Sequence, residues 1–375
     1  MTISSDTRVV VLHAEDAPMP GVASPGTHQR YRQPHLSLEE RRLGQLADHN
    51  VRVEMMYAGV CGTDLHLVQT DSETGYVLTS APASIPARGR ILGHEGVGRV
   101  VETGNSVQYL RPGDVVAFES IHVCRQCRPC LRGNYNQCHE ATLVGMQEEG
   151  LFGTIVDLPA ALAHDVSAIS DSDAGLRAAA CLEPAGVALL ACESLPIRAG
   201  DRVLVCGGGP IGIYCAMLCC LAFHASEVIL IEPIAARRKV AQSWCTTFPD
   251  IHSWLEMDGM DIDVLIEASG SLDNVRLAFP RIAANGRVSL LARGGMPLHI
   301  DTVDHMITQA ISIHGSRGHL GGLFPRVMDL YQAGLMPLDA IVTGVLPGIE
   351  ALHAALLAPG DIAKNHCKVL ARLGD

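Results

Sequence analysis

No run of Lys and Arg long enough to form a basic patch occurs in the sequence, and its 28 basic residues are outnumbered by 40 acidic ones, leaving a formal net charge of -12. Such a chain repels polyanions, which excludes nucleic acid as a partner. Long hydrophobic runs are missing too. The longest strongly apolar stretch, Pro210 to Phe223, is too short to cross a bilayer as a helix. Met1 to Val10 carry acidic and polar groups without the apolar centre of a secretory signal. These absences lead to the expectation of a soluble, cytoplasmic protein with no membrane contact. Charged residues are only 18% against 48% hydrophobic, the balance of a globular chain, and 375 residues suffice for two domains.

What the sequence has in excess is cysteine, thirteen in all. In a reducing compartment disulfides do not persist, so metal ligation or core packing must account for them. Four lie between Cys124 and Cys138. Cys215, Cys219 and Cys220 fall within the apolar run at helical spacing and are read as small buried hydrophobes.

The first ~50 residues, with prolines at 18, 20, 25 and 34, read as irregular. From Val51 to Tyr57 apolar and polar residues alternate as in a half-buried strand, and Gly96–Gly104 and Asp114–Phe118 add further strand-like runs. From about Gly186 short apolar strands (Val203–Cys206, Val228–Ile231, Val264–Ile266, Arg287–Leu291, Ile311–His314) alternate with helix-forming segments such as Ala235–Cys245. That alternation predicts a parallel sheet covered on both faces. The segment after Leu323 is mixed.

Within the first of these strand–helix units, Gly207, Gly209 and Gly212 have the G-x-G-x-x-G spacing. The first glycine permits a tight turn, the second a close approach of backbone to pyrophosphate, and the third helix packing on the strand. Pro210, followed by Ile211, suits the first helical turn, where free N–H groups and the helix dipole favour phosphate. Glu232 follows 20 residues after Gly212. A carboxylate there accepts from both adenine-ribose hydroxyls and repels a 2′-phosphate, which favours NAD(H) over NADP(H). Arg237 and Arg238 lie close enough to stack near the adenine or to serve a 2′-phosphate.

Cys124, Cys127, Cys130 and Cys138 place four thiolates within fifteen residues. A closed tetrahedron of sulfurs is what structural zinc prefers; a redox reading needs only two of them, and an iron–sulfur reading finds no other support. A second set is dispersed: Cys61, the pair His94 and Glu95, and Glu183, each beside a Gly or Pro. Taken singly these have bland readings, a core histidine or a helix N-terminal acid. Together they form a mixed shell able to leave a coordination position open.

The stretches Gly59-Val-Cys-Gly-Thr-Asp64, Gly93-His-Glu95 and Glu183-Pro184, with the cysteine lobe and the glycine turn, resemble the zinc-containing medium-chain dehydrogenases, nearest the sorbitol, threonine and glucose branch. The resemblance implies an α/β fold: a Rossmann doubly wound domain over 188–322 and a β-rich GroES-like catalytic domain over 1–187, with its zinc lobe at 122–140, completed by 323–375. It implies about two zinc ions per subunit, one catalytic and one structural. Cys61 and His94 would be catalytic-zinc ligands, with Glu95 and Glu183 coordinating directly, through water, or alternately. Glu183 stands where simple alcohol dehydrogenases carry cysteine, a mark of the polyol branch. Thr63 and His66 match the proton-relay positions. Asp64 is read as a capping acid, not a base.

The implied activity is interconversion of a secondary alcohol of polyol, sugar or cyclitol type with its ketone. Zinc stabilises the alkoxide, and hydride passes to a nicotinamide held in the cleft between the domains. The implied assembly is a homodimer or homotetramer. Two alternatives stand beside this: a zinc dehydrogenase for simple alcohols or an amino-alcohol such as threonine, and a catalytically silent zinc- and NAD-binding protein. The chain departs from the family in three places. Gly75–Arg90 is long, the stretch between Arg238 and Asp263 is short enough to shrink or remove the third sheet strand, and Thr154 replaces a common Glu.

Overall fold

The computed structural model describes residues 5–257, 261–293, 297–300 and 303–374. The chain forms two compact units. One contains Met1–Glu183, Val342–Ala363 and Lys368–Asp375, the other Pro184–Ile341 and Lys364–Cys367.

In the first unit, a seven-stranded sheet gathers Asn50–Val60, Glu95–Thr103, Val115–Phe118, Ile155–Pro159, Ala163–Asp165, Val342–Pro347 and Lys368–Arg372. The expected strands at 51–57, 96–104 and 114–118 are all present. The first 50 residues are not irregular, as the prolines imply, but form two long antiparallel strands, Asp6–Asp16 and Tyr31–Arg42. Val9 to Leu12 are fully buried, so that strand lacks the alternation that reveals a half-buried one. Three of the prolines sit in the loop between the two strands, and only Pro34 lies within one. The long segment after Gly75 is anchored within this unit. Val77 and Ile85 are buried, and the Tyr31 hydroxyl accepts from the Ile85 N–H at 3.1 Å. Thr154 accepts from the Arg8 N–H (3.1 Å) and lies 3.2 Å from the Thr7 hydroxyl, which ties the first strand to its neighbour.

In the second unit six parallel strands run in the order Thr246–Phe248, Glu227–Ile231, Arg202–Cys206, Ile262–Glu267, Ile282–Leu290, Ser312–Gly315. Numbered along the chain this is 3-2-1-4-5-6, the doubly wound order of dinucleotide-binding sheets. The third strand is present but only three residues long, as the shortened connection foretells. The helix expected over Ala235–Cys245 ends at Ala241, which leaves just enough chain to turn into that strand. The apolar helix runs Pro210–Leu221, with Cys215 and Cys219 fully buried in the core.

The expected boundaries move with packing. The first unit ends at Glu183 instead of 187, and the chain returns to it at Val342, not at 323. Helix Leu323–Gln332 belongs to the second unit, burying Leu323, Phe324 and Val327, and the Tyr214 hydroxyl donates to the Leu338 carbonyl there at 2.6 Å. No single helix among the described residues is long and apolar enough to cross a membrane.

Trp254 is the largest fully buried side chain of the second unit, capped by the Arg281 guanidinium 5.2 Å from its ring centre. Truncation to Ala would leave a cavity in the apolar cluster that Trp254 shares with Leu204, Ile229 and Leu265. Trp254→Ala is expected to cost about 3–5 kcal/mol in urea unfolding, and a loss under 1 kcal/mol would contradict this packing.

Candidate metal and nucleotide sites

Cys61 precedes the short helix Gly62–Val68 with an extended backbone, and its N–H donates to Asp64 Oδ2 at 2.9 Å. That bond is a helix cap, the role expected of Asp64. Asp64 is fully buried, and its Oδ1 lies 3.7 Å from His94 Nδ1, an ion-pair contact too long for a hydrogen bond. One acid thus caps the thiol segment and places a negative charge beside the imidazole. Burial pushes the Asp64 carboxyl above its ordinary value, against the pull of His94 and of the Cys61 N–H.

Glu95 opens the strand Glu95–Thr103 opposite Gly59. A Cβ on Gly59 would come within 2.6 Å of Glu95 Oε2 and 3.0 Å of Lys368 Nζ, so only glycine leaves room for the pair. Lys368, 1% exposed, bonds through Nζ to that carboxylate and donates to the Val60 carbonyl at 3.0 Å. Burial opposes its charge, but Glu95, with Cys181 and Cys61, outweighs burial and raises its pKa. Sequence reading missed this lysine. Its signal was there, a cation opening the strand Lys368–Arg372, whose next three residues are apolar.

The ligand atoms of Cys61, His94 and Glu95 lie within 4.8 Å of one another. Glu183, 8% exposed at the start of helix Leu182–Glu193, is not in that set, and its Oε1 accepts from the Ser120 hydroxyl at 2.6 Å. It is near enough to act on His94. Burial disfavours the imidazolium, yet Asp64, Cys61 and Glu183 more than offset this and raise the His94 pKa well above the ordinary value. These surroundings are short of positive charge. A thiol, an imidazole and a carboxylate are a donor set that suits zinc, so the residues fit a divalent ion. Thr63 and His66 stand on the same helix, Thr63 Oγ1 at 3.8 Å from Cys61 Sγ and His66 toward solvent. Crowding by the surrounding chain holds His66 below the ordinary imidazole value.

The four-cysteine lobe closes on itself, with the sulfurs of Cys124, Cys127, Cys130 and Cys138 mutually within 4.8 Å. Cys138 Sγ is 3.5 Å from Cys124 Sγ and 3.8 Å from Cys127 Sγ. Sulfurs ~2.3 Å from a tetrahedral zinc stand about 3.8 Å apart, so the spacing fits that ion and not a disulfide. The N–H groups of Cys127 and Glu140 point at sulfurs (3.4 Å each), and backbone donors from Cys130 and His139 help lower the Cys127 thiol to about 6. None of the thirteen cysteines, all of them among the described residues, forms a disulfide.

In the second unit Gly207, at φ +105°, turns the chain from strand to helix. A Cβ on Gly212 would meet the Gly207 carbonyl oxygen at 1.9 Å, which is why helix and turn can touch. Pro210 is the first helical residue, followed by Ile211. Glu232 follows the second strand and stays 4% exposed, one oxygen accepting from the Gly208 N–H (2.7 Å), the other from the Ile234 N–H (2.8 Å). Each oxygen keeps acceptor capacity for another donor. Gly207, Gly209, Glu232 and Arg237 line a cavity of about 700 Å³. Arg237 Nε donates to the His366 carbonyl at 3.0 Å, whereas Arg238 holds the carbonyls of Glu232 and Pro233 and supports the loop.

Removing Lys368's charge strands a buried carboxylate. Lys368→Met is expected to cost about 3–5 kcal/mol in denaturant unfolding, and adding Glu95→Gln should return part of it. Purely additive losses would show that the two side chains are not coupled.

The alcohol dehydrogenase GroES-like domain family matches residues 47–168. The chain is 30% identical to the L-threonine 3-dehydrogenase of Thermococcus kodakarensis over 326 residues, 84% of this chain and 89% of that protein. It is 31% identical to the scyllo-inosose 3-dehydrogenase of Thermotoga maritima, across 76% of each, and 27% identical to the D-xylulose reductase A of Aspergillus oryzae, across 85% and 89%. A solved Thermotoga maritima structure, a provisionally assigned alcohol dehydrogenase, superposes with a TM-score of 0.86 at 27% identity, covering 98% of this chain and 100% of its own. With this fold, these donor sets and these relatives, the chain belongs to the zinc-containing medium-chain dehydrogenases, in the sorbitol and threonine dehydrogenase branch, and is a zinc-dependent alcohol dehydrogenase-type oxidoreductase.

Proposed function

We propose that this enzyme interconverts a secondary alcohol of polyol, sugar or cyclitol type with its ketone, using NAD(H) in preference to NADP(H). In this reading the first unit is the catalytic domain and the second the nucleotide domain, each subunit holds about two zinc ions, and the protein works in the cytoplasm as a homodimer or homotetramer. The observation that carries it is the convergence of Cys61, His94 and Glu95, from separate stretches of chain, on one point beside a buried acid and a buried lysine.

Cys61, His94 and Glu95 would hold the catalytic ion, and Glu183 would coordinate it directly, through water, or alternately with Glu95. Cys124, Cys127, Cys130 and Cys138 hold the structural one. Zinc held there would supply Lewis-acid stabilisation of the substrate alkoxide, and a nicotinamide in the second unit's cavity would supply the hydride acceptor. Thr63, on the helix that begins beside Cys61, would accept the hydroxyl proton while handing its own on toward the cofactor ribose and His66. His66, neutral at physiological pH because its pKa is depressed, carries it to solvent. Asp64 keeps His94 and the Cys61 segment in register throughout. On the nucleotide side, Gly207 turns the chain, Gly209 allows close approach of backbone to pyrophosphate, Pro210 presets the first helical turn without an N–H of its own, Ile211 and Gly212 offer N–H groups, and Gly212 also packs the helix on the turn. Glu232, already fixed by two N–H groups, accepts from the ribose hydroxyls and repels a 2′-phosphate. Arg237 flanks the adenosine.

Glu183 in place of a third cysteine and relatives acting on xylulose and an inosose support the polyol reading. The likeness to a threonine dehydrogenase supports a second one, an amino-alcohol substrate. A steady-state NADH assay over polyols, sugars, cyclitols and amino-alcohols separates them: a polyol enzyme turns over vicinal diols with the higher kcat/KM, and preference for threonine selects the alternative. Cys61→Ala is expected to lower kcat by orders of magnitude, retain NADH binding, and reduce zinc by about one ion per chain in elemental analysis. Unchanged turnover would remove Cys61 from the site. Glu232→Ala should cut the NAD over NADP preference at least about tenfold, and an unaltered ratio would assign the selection to other residues.

A further inference from the structure

The second unit buries one carboxylate that no step above uses. Glu267 ends the central strand Ile262–Glu267, beside the strand leading into the glycine turn, and is fully buried. Its Oε1 takes three donors: the Ser269 N–H at 2.7 Å, the Ser269 hydroxyl at 2.6 Å and the Gly270 N–H at 2.9 Å. Ser269 Oγ in turn accepts from the Ser271 N–H at 3.1 Å. The turn from Ala268 to Ser271 is thus folded around one oxygen atom. Its other oxygen, Oε2, has no hydrogen-bond partner among the described residues.

That turn forms a wall of the nucleotide cavity. Ala268, Ser269 and Ser271 line it, while Glu267 itself does not. Gly207 rests directly on the same turn, since a Cβ there would stand 2.8 Å from the Ala268 carbonyl group and from the Ser269 nitrogen. Two chain reversals, each at the carboxyl end of a central strand, are therefore packed backbone to backbone, the first tied to Glu232 through the Gly208 N–H and the second folded around the carboxylate that ends its own strand. A buried acid half of whose acceptor capacity goes unused is a poor way to gain stability. It is an effective way to fix three N–H and O–H groups at one point.

We propose that Glu267 is a positioning residue of the cofactor site: by gathering the Ser269 and Gly270 donors on Oε1, it sets the Ala268–Ser271 wall against Gly207 and so controls dinucleotide affinity. The inference rests on reading the cavity as a dinucleotide site. An apolar residue of similar size releases the turn. A glutamine keeps an acceptor in place of Oε1 and loses no bond at Oε2. An aspartate keeps the charge but draws the oxygen back from its donors.

NADH fluorescence titration of the zinc-loaded full chain tests this, with kcat at saturating cofactor and zinc content measured alongside. Glu267→Leu is expected to raise the NADH Kd about tenfold or more, Glu267→Gln less than about threefold, with zinc content unchanged and kcat retained within about threefold. A folded Glu267→Leu whose Kd stays within threefold of wild type overturns the proposal, as does a Gln variant as weak as the Leu one. Should Glu267→Leu fail to fold, Glu267→Asp carries the test: a rise above threefold supports the role, and a smaller one overturns it. Wild-type protein that binds no NADH overturns the dinucleotide reading together with this inference, whereas wild-type binding with an unchanged Leu variant overturns this inference alone.

Discussion

A lysine buried to 1% exposure is the constraint around which the first unit's site is organised. Cys61, Asp64, Glu95 and Glu183 bring acidic groups into a desolvated region, where like charges repel strongly and each carboxylate must find a donor or a cation. Lys368 supplies one fixed positive charge and reaches Glu95 and the Val60 carbonyl together. It does not satisfy the rest. Asp64, Cys61 and Glu183 together push the His94 pKa up, and a divalent ion beside Cys61, His94 and Glu95 would meet that surplus of negative charge. The same contact ties the last strand of the chain to the strands beginning and ending around Gly59 and Glu95, so the ligand shell and the sheet are held by one interaction.

The two units solve their local problems in a related manner. In each, a buried acid organises backbone N–H groups at the edge of a site. Asp64 caps the helix after Cys61, Glu232 bridges Gly208 and Ile234, and Glu267 gathers Ser269 and Gly270. A carboxylate suits this work because it only accepts and its charge strengthens each bond. The glycines beside them are the complementary requirement. Gly59 and Gly207 sit where a side chain would enter the acid pair or the neighbouring turn.

Much of the site was legible because its signals are short-range. Four cysteines within fifteen residues and a glycine turn between a strand and a helix each suggest their chemistry in one stretch, and the structure brings the four sulfurs within 4.8 Å of one another and sets Gly207 and Gly209 on a cavity wall. Asp64 was legible as a cap for the same reason. The first two strands were not, since full burial of Val9 to Leu12 erases the alternation that marks a strand, and prolines in the loop between them imitate an irregular segment. The third strand of the parallel sheet could be foreseen as short from the length of its connection, while its presence depended on pairing with Glu227–Ile231.

The sequence by itself determined which groups are available: sulfur, imidazole and carboxylate that suit a metal, a flexible turn that suits phosphate, an acid that suits a ribose. Residue type and local spacing suffice for that. Only the tertiary structure decided which acid stands with Cys61 and His94, that Glu95 shares its carboxylate with a lysine 273 positions away, and that Glu267 holds a cavity wall it does not line. These relations depend on strand register and on charge buried between distant segments, and neither is written in any contiguous stretch of residues.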